Sequence, residues 1–376
     1  MKIALIRKNY SPYGGAENYL RLVAQGLKAK GHDVHIFSAG NWPEKSGYVH
    51  RVRTIKKPSF LSNMLFALNV RNALKMEYFD CVFSFERISF RPIRDRVSNR
   101  VYRAGDGCHR EWLDKRKTIE SFLKKLSFTL NPHHLTLLYL EKQCLLNSEA
   151  IIANSMMVKK DIIRHYSIPD EKIKVIYNGV DFQRFQPVEK EKKSALKKFF
   201  GIKEDKVILF VGTDFKRKGL STLLKAVSFL DTKDKKIVVA GKKESSQYLS
   251  VARQLGIDKN IIFWGAEQEI EKLYSIADVF VLPTIYDPFS NATFEAMASG
   301  LPVVTTSYNG ASELIENGVQ GFIIDNPLDT DTFAEKISIA LLQAEDMGRK
   351  ARIKAEDYSI EKAVDNIIKV ISGHGK

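Results

Sequence analysis

The sequence predicts an α/β protein with two doubly wound domains that face a cleft. The chain has 376 residues, which is more than usually fold around a single hydrophobic core, so two domains are favoured. Short apolar runs of strand length alternate with helical patterns in both halves. Glycine-containing loops follow several of these runs, where open parallel sheets bind ligands at the carboxyl ends of their strands.

The first half begins with a predicted β-α-β unit. The apolar run 2–6 is the first strand, a helix follows the Gly14-Gly15 loop, and residues 33–38 form the next strand. Gly15 has no Cβ, so its backbone could approach a phosphate closely, although a plain tight turn is the alternative. Further strands are expected at 79–84 and 149–155.

Asp106 is the first acidic candidate, because it stands between two glycines in the stretch 101–113. Such flanking suggests a backbone held close to a ligand. His109 lies three residues further on, and a surface histidine is the alternative explanation for it.

Residues 115–142, the basic-apolar segment, interleave lysines and arginines with large apolar side chains. Its basic residues include Lys115, Arg116, Lys117, Lys124 and Lys125. This pattern predicts an amphipathic surface on anionic lipid, and an ordinary helix pair with its apolar face in the core is the alternative.

The second half begins with a strand that ends at Asn178-Gly179. We expect one domain to comprise residues 1–182 with a C-terminal helix at 358–376, and the other to comprise residues 186–357. The strand 206–211 is followed by the loop GTDFKRKG, which contains Arg217 and Lys218, and by a helix from Leu220. Loop amides, a helix dipole and two cations in this order are suited to holding a diphosphate.

The stretch YDPFSNATFEAMASGLP, residues 286–302, follows an apolar run of strand length at 279–283 and contains two acids, Asp287 and Glu295. We expect a helical run to open at Glu295 and to end at Gly300. A helix start facing the loop suits an anion or a polyol. A surface loop whose acids merely cap the helix is the alternative.

The formal charge of +15 is concentrated in one half. Residues 1–185 contain 32 Lys and Arg against 17 Asp and Glu, whereas the remainder is balanced. This asymmetry predicts an anionic partner: nucleic acid, an anionic membrane or a phosphorylated acceptor. Nucleic acid is disfavoured, because no helix-turn-helix, RRM or KH pattern is found.

Cysteine spacing and hydropathy exclude other classes. The three cysteines, at 81, 108 and 144, show neither a zinc spacing nor a disulfide framework, which is typical of a reducing compartment. No run approaches the ~20 apolar residues of a membrane-spanning helix. Residue 1 leads directly into the first strand, so no signal peptide is expected and the protein is predicted to be cytoplasmic, soluble or peripheral.

Taken together, these motifs resemble the retaining family-4 glycosyltransferases of GT-B fold, in which two Rossmann-like domains face a cleft. The resemblance rests on the Gly14-Gly15 loop, the NGVD stretch at 178–181, the basic loop at 216–219, Asp287 with Glu295, and the EAMASGLPVV run. The GTDFKRKG loop and the insertion after Asp106 are most similar to the glucosyltransferases of the bacterial lipopolysaccharide core, which add glucose to heptose. Two departures are Asp287, where the family usually has Glu, and Thr213, where many members have Arg.

The resemblance implies a metal-independent hexosyltransferase without cofactor, in which a nucleotide sugar such as UDP-glucose is the donor. Arg217 and Lys218 are implied to neutralise the diphosphate, Asp287 to hold the donor sugar and Glu295 the ribose. Asp287, Asp106 and Lys218 are the implied catalytic residues. The implied substrate-binding residues are Gly15, Glu17, Thr213, Arg217, Lys218, Asp287, Ser290, Asn291, Ala292 and Glu295.

The implied acceptor is a lipid-linked saccharide such as the lipopolysaccharide core, which the protein would meet on the inner face of the plasma membrane. Other GT-B activities remain alternatives: transfer to a soluble acceptor, a sucrose- or trehalose-type synthase, or a nucleotide-sugar epimerase. A basic nucleic-acid-binding protein or a membrane scaffold without turnover is the alternative from a different class.

Overall fold

The computed structural model describes residues 1–11, 14–40, 42, 48–88, 97–120, 128, 130–230, 234–241 and 246–373. The chain divides into two compact units, Met1–Asn178 with Ile360–Lys376, and Gly179–Ser359. The first crossing between them therefore lies at 178–179 rather than in the expected interval of 182–186, and the second lies at 359–360.

The first unit is a parallel sheet with helices on both faces. Its strands are β1 (Lys2–Ile6), β2 (Asp33–Ser38), β3 (Val49–Arg51), β4 (Phe79–Ser84), β5 (Val97–Ala104), β6 (Ala150–Ala153) and β7 (Ile173–Val175). The helices from its N-terminal part are α1 (Gly15–Ala29), α2 (Ser59–Leu74), α3 (His109–Ile119), α4 (Pro132–Asn147) and α5 (Met156–Tyr166).

The strand order of this sheet is β3-β2-β1-β4-β5-β6-β7. All its described pairings are parallel, and β1 pairs with both β2 and β4. One hydrophobic cluster packs α2, α4 and α5 against one face, and a second packs α1 against the other. The carboxyl ends of β1, β4 and β5 therefore meet at one edge, where Arg7 and Asp106 follow their strands.

The second unit repeats the architecture. Its strands are β8 (Lys206–Gly212), β9 (Lys235–Gly241), β10 (Ile261–Gly265), β11 (Val279–Leu282), β12 (Val303–Thr306) and β13 (Gly321–Ile324). Its helices are α6 (Lys190–Phe199), α7 (Leu220–Ser228), α8 (Ser246–Gln254), α9 (Glu271–Ile276), α10 (Asn291–Ala298), α11 (Thr330–Leu342) and α12 (Ala344–Ala355).

The strand order β10-β9-β8-β11-β12-β13 is the doubly wound order 3-2-1-4-5-6. The chain leaves β8 toward one side of the sheet and enters β11 on the other, so β8 and β11 are the central neighbours. Ligands bind such sheets at this switch point, outside the carboxyl ends of the two strands.

The last helix, α13 (Ile360–Ile371), returns to the first unit, as the sequence predicted. Its apolar residues Val364 and Ile367 join the cluster that contains Leu20 and Val23 of α1. Gly26 of α1 allows this approach, since a Cβ there would stand 2.7 Å from a methyl group of Val364. The predicted fold of two doubly wound α/β domains is confirmed.

Helix α10 starts earlier than expected. It begins at Asn291, and Ser290 is its N-cap, with the Ser290 hydroxyl accepting from the Thr293 amide at 3.3 Å. Glu295 therefore lies in the second turn and does not open the helix. A serine at this position satisfies an amide that the first turn leaves without an intrahelical partner, which explains the earlier start.

Within the described residues, no helix has both the length and the apolar character needed to cross a bilayer.

Candidate active site

Three predicted site residues meet at the switch point of the second unit. Arg217 and Lys218 stand on the loop after β8, and Asp287 stands on the loop after the neighbouring strand β11. The Lys218 ammonium forms a close ion pair with Asp287 Oδ2. Arg217 Nη1 lies 3.5 Å from the same oxygen and donates to the Tyr286 carbonyl at 2.7 Å. The adjacent strand ends thus bring two cations onto one carboxylate.

This cluster is nearly buried, with Lys218 8% exposed and Asp287 5% exposed. Burial lowers the pKa of Lys218, which the Asp287 carboxylate only partly offsets. Burial raises the pKa of Asp287, but Lys218 and Arg217 outweigh it, so the Asp287 pKa lies below its ordinary value. With both groups ionised, the three side chains carry one net positive charge, which suits an anionic ligand.

Gly219 explains how the basic loop approaches β11. It adopts a φ of 79°, in the left-handed region, immediately before α7. A Cβ on it would lie 1.9 Å from the carbonyl oxygen of Pro283, the residue after β11. Any other residue would push the loop away and separate Lys218 from Asp287.

The start of α10 is fixed by Asn309, a residue that the sequence reasoning missed. Asn309 is fully buried; its Oδ1 accepts from the Ser290 amide at 3.2 Å, and its Nδ2 donates to Thr293 Oγ1 at 2.9 Å. The expectation that the Ser290 amide contacts a ligand is therefore corrected, because this amide is committed to Asn309. No sequence pattern relates position 309 to α10, since the contact is tertiary.

Asn291 and Ala292 occupy the first turn of α10, as the predicted role of their amides requires. Both are partly buried. Thr213 stands exposed on the loop after β8. The amide of Asp287 donates to the Tyr308 carbonyl and its carbonyl accepts from Gly310, both at 2.8 Å, which holds the acidic loop against the loop after β12.

Glu295 lies on the second turn of α10 and contacts Tyr274 of α9. The Tyr274 hydroxyl lies 2.9 Å from Glu295 Oε2 and 3.1 Å from the Ala292 carbonyl. Burial raises the pKa of Glu295, although the Tyr274 hydrogen bond and the cations Arg184 and Lys218 reduce the shift. Tyr274 was not predicted, because a tyrosine in a helix is ordinarily a core residue, and its ring is indeed only 1% exposed.

A second charged cluster lies in the first unit, around Asp106. Arg7 follows β1, and its Nη1 donates to Asp106 Oδ2 at 2.8 Å. The same guanidinium donates through Nη2 to Glu17 Oε1 of α1 at 3.1 Å and through Nη1 to the Phe85 carbonyl at 3.1 Å. Arg7 therefore joins Asp106 and Glu17. Its position directly after an apolar strand was a readable signal that the sequence reasoning did not use.

Asp106 is ionised at neutral pH. Burial raises its pKa, but Arg7 and Arg87 outweigh this effect and bring the pKa below its ordinary value. One third of the Asp106 side chain is exposed, so the carboxylate can meet a ligand. Gly15 opens α1, preceded by its N-cap Gly14; residues 12 and 13 of this loop lie outside the described residues.

His109 is buried and is not a surface histidine. Its amide donates to Glu141 Oε1 at 2.8 Å, and its Nε2 lies 3.2 Å from His134 Nδ1. Burial, Arg87 and His134 lower the pKa of His109 to about 3, so the ring is neutral at physiological pH. These contacts connect α3 to α4 and give His109 a structural environment.

The basic-apolar segment is described only at its two ends, since residues 121–127 and 129 lie outside the described residues. On α3, Lys115 lies 3.8 Å from Glu111 and Lys117 2.9 Å from Asp114, so these lysines face acids. Toward and along α4, large apolar side chains are exposed to solvent: Leu130, Leu135 and Tyr139.

Two family models match the chain in succession. The model described as Glycosyltransferase Family 4 matches residues 13–184, and that described as Glycosyl transferases group 1 matches residues 192–372. The first match covers most of the first unit and the second covers most of the second unit, although the second match also extends through α13, which belongs to the first unit. The chain belongs to the family-4 glycosyltransferases of GT-B fold.

Curated relatives agree with this membership. The chain is 29% identical over 351 residues to an uncharacterized glycosyltransferase of Methanocaldococcus jannaschii, a match that covers 89% of this chain and 87% of the relative. It is 24% identical over 352 residues to the lipopolysaccharide glucosyltransferase WaaG of Escherichia coli, covering 92% and 90% of the two chains.

Solved structures share the whole fold. WaaG, described as a glycosyltransferase involved in lipopolysaccharide biosynthesis, superposes with a TM-score of 0.83 at 21% identity, covering 99% of this chain and 100% of that chain. The sucrose-phosphate synthase of Thermosynechococcus elongatus gives 0.81 at 19%, covering 99% and 98%. Anabaena HepE in complex with UDP and glucose gives 0.74 at 20%, covering 99% and 100%.

Proposed function

We propose that this glycosyltransferase transfers a hexose, with retention of configuration, from a nucleoside-diphosphate sugar to a lipid-linked saccharide. Glucose is the best candidate for the hexose, UDP for the nucleotide and lipopolysaccharide core for the acceptor. The observation that carries the proposal is the convergence of Arg217, Lys218 and Asp287 at the switch point of the second unit. The names of two similar proteins, WaaG and the UDP-bound HepE, support the choice of donor and acceptor.

The donor diphosphate is held by Arg217 and Lys218. A lysine ammonium has three N–H donors, so Lys218 can retain its ion pair with Asp287 and still donate a hydrogen bond to a phosphate oxygen. As the glycosidic bond breaks, negative charge develops on the leaving diphosphate, and fixed cations stabilise it more than they stabilise the ground state. Asp287 accepts hydrogen bonds from hydroxyls of the donor sugar and orients it.

Glu295 binds the ribose hydroxyls. Tyr274 holds one carboxylate oxygen, Oε2, which fixes the direction in which the other oxygen faces. The amides of Asn291 and Ala292, at the positive end of α10, add donors for sugar and phosphate. Thr213 contributes a hydroxyl from the loop after β8.

The first unit supplies the acceptor-side chemistry. Asp106, ionised through Arg7, orients the acceptor hydroxyl or takes its proton. We assign Asp106 no nucleophilic role. Gly15 and Glu17 complete the proposed substrate-binding set, with Glu17 positioned by the same arginine.

No metal ion or cofactor takes part in this chemistry, because the side chains of Arg217 and Lys218 already neutralise the diphosphate charge. Turnover is therefore expected to be unchanged when EDTA is added and magnesium omitted. A rate that falls with EDTA and returns with Mg²⁺ would contradict this part of the proposal.

The protein works on the inner face of the plasma membrane, where the basic-apolar segment contacts anionic lipid. The support is the exposure of Leu130, Leu135 and Tyr139 within a half that holds all the excess positive charge. Sedimentation with vesicles tests this: vesicles containing phosphatidylglycerol should bind the protein, and neutral phosphatidylcholine vesicles should not. Equal binding to both would contradict an electrostatic contribution.

A soluble acceptor is the second candidate, favoured by the similarity of fold to a sucrose-phosphate synthase. Release of nucleoside diphosphate from UDP-glucose discriminates the two. We expect release to be stimulated by lipopolysaccharide-core acceptors and not by free or phosphorylated monosaccharides. Stimulation by a soluble sugar alone would favour the second candidate, and failure of every nucleotide sugar to react would overturn the transferase proposal.

A further inference from the structure

Three potential metal ligands meet in the first unit, away from the residues discussed above. They are His35 on β2, His50 on the edge strand β3, and Glu77 shortly before β4. One ligand atom from each side chain lies within 4.8 Å of the other two. Two imidazoles and one carboxylate make a ligand set that suits zinc and leaves a coordination position open.

The contacts of His35 determine which of its nitrogens can bind an ion. Nε2 lies 3.2 Å from Asp33 Oδ2, and an ionised carboxylate only accepts, so Nε2 carries the proton. Nδ1 is then the unprotonated nitrogen, and it faces His50 Nε2 at 2.7 Å. A carboxylate that fixes the tautomer of a ligating histidine is the usual outer-shell arrangement of protein metal sites.

Both rings are held in place before any ion arrives. His50 stacks on Phe37 at 4.5 Å with 9° between the ring planes, and His35 meets the edge of Phe79 at 5.4 Å. His35 is 8% exposed, whereas Glu77 is about half-buried, so an ion could enter past the carboxylate.

We propose that His35 Nδ1, His50 Nε2 and Glu77 bind one divalent ion of the zinc class. Two nitrogens on a tetrahedral zinc ion stand roughly 3.3 Å apart, given Zn–N bonds of about 2.0 Å. The present 2.7 Å spacing therefore needs only a small rotation of the rings, and His50 changes tautomer on binding, its proton moving through solvent from Nε2 to Nδ1, so that the ring stays neutral. Magnesium and calcium are not expected, since they prefer oxygen ligands.

The ion would stabilise the sheet rather than take part in transfer. It would connect β3 to β2 and to the segment before β4. Lys2 and Glu77 stand at the amino ends of β1 and β4, whereas Arg7 and Asp106 follow the carboxyl ends of β1 and β5. Glu77 and the Asp106 cluster thus lie at opposite ends of the strands of the same parallel sheet, and His35 stands beside Ala4 in the middle of β1.

Lys2 is a built-in competitor for this site, because its ammonium forms a close ion pair with Glu77. An incoming ion must displace it. Removing the lysine side-chain charge should therefore increase metal affinity, an effect that a misfolded variant cannot imitate. This makes Lys2→Met a diagnostic substitution.

The chain offers a matched control. Glu111, Asp114 and His165 approach one another as closely as the proposed ligands do. However, Arg164 pairs with Glu111 and Lys117 pairs with Asp114 at 2.9 Å, so cations already occupy the carboxylates. His165→Gln should leave metal binding unchanged.

The test is a Zn²⁺ titration of the full chain against a chromophoric chelator, with Co²⁺ absorption as a second readout. We expect one Zn²⁺ per chain, a loss of affinity of at least about 100-fold in His35→Gln and His50→Gln, and 10–100-fold in Asp33→Asn. Lys2→Met should bind more tightly, and Zn²⁺ should raise the Tm of the wild-type protein by at least about 5 °C when it is in hundredfold excess over its Kd.

Undiminished one-to-one binding in His50→Gln would overturn the proposal, as would absence of saturable binding by the wild type. Binding that is lost in His165→Gln would assign the ion to the control cluster instead. The readouts are independent of transferase activity, so they stand whatever the acceptor is.

Discussion

The substitution Asp287→Asn tests the buried ion pair on which the proposed donor site depends. Asparagine has nearly the same shape and keeps the two backbone hydrogen bonds of residue 287, to Tyr308 and Gly310. It removes only the negative charge that faces Lys218 and Arg217. The change therefore isolates electrostatics from packing.

The magnitude follows from burial. Removing one partner of a buried ion pair lowers the free energy of unfolding by about 3–5 kcal/mol, because the remaining charge is left unpaired in the weakly polar protein interior. Arg217 is one quarter exposed and can turn toward water, so we expect the lower end, about 3 kcal/mol. For a unit of this size that loss lowers Tm by roughly 6–12 °C. The pKa of Lys218 should fall further, since the carboxylate that raises it is gone.

The assay is urea unfolding of wild type and variant, with Asp214→Asn as the matched control. Asp214 lies 3.8 Å from Arg217 but its side chain is about half exposed, so its loss should change the free energy of unfolding by less than about 0.5 kcal/mol. The Asp287 pKa is lowered in the folded state, so its stabilisation is present above about pH 4 and is lost as pH falls below that value. If Asp287→Asn cost no more than Asp214→Asn at pH 7, the pair would not contribute as argued.

Three further substitutions test individual contacts. Glu295→Ala should lower kcat/KM for the nucleotide sugar by at least about 100-fold, the cost of one strong contact, and full activity would remove Glu295 from the donor site. Tyr274→Phe keeps the buried ring but deletes the hydroxyl, so the donor KM should rise about tenfold; an unchanged KM would contradict a positioning role. Arg7→Gln removes a cation that lowers the pKa of Asp106, so the acid limb of the pH–rate profile should move to higher pH. An unchanged acid limb would show that the ionisation of Asp106 does not control the rate.

The parts of the fold that could be predicted are those in which local pattern and tertiary role agree. Buried parallel strands such as β8 and β11 are continuous apolar runs, and the glycine loops after them mark the ligand edge. Arg217, Lys218 and Asp287 each lie on a loop after such a strand, and the resemblance to family-4 glycosyltransferases implied their shared role; the pairing of β8 with β11, which brings the two loops together, was found only in the structure. Helix α2 and the three-residue edge strand β3 were not predicted, because neither shows a clear period.

The residues that were missed act through tertiary contacts. Asn309 and Tyr274 position α10 and Glu295 from another loop and another helix, and sequence spacing contains no information on such pairs. The mistaken start of α10 has a different origin. The capping pattern at Ser290 was readable, but the acid at 295 was given more weight than the N-cap. The burial of His109 could not be predicted either, because it depends on a tertiary contact with Glu141 of α4.

The most direct test of the account is isothermal titration of the wild-type chain with UDP-, GDP- and ADP-sugars in the presence of EDTA. We expect one of them, with UDP-glucose first, to bind one-to-one, and its affinity to fall at least about tenfold in both Lys218→Ala and Glu295→Ala. Binding that is unaffected by these two substitutions, or no binding by any member of the panel, would contradict the assignment of the donor site to the second unit.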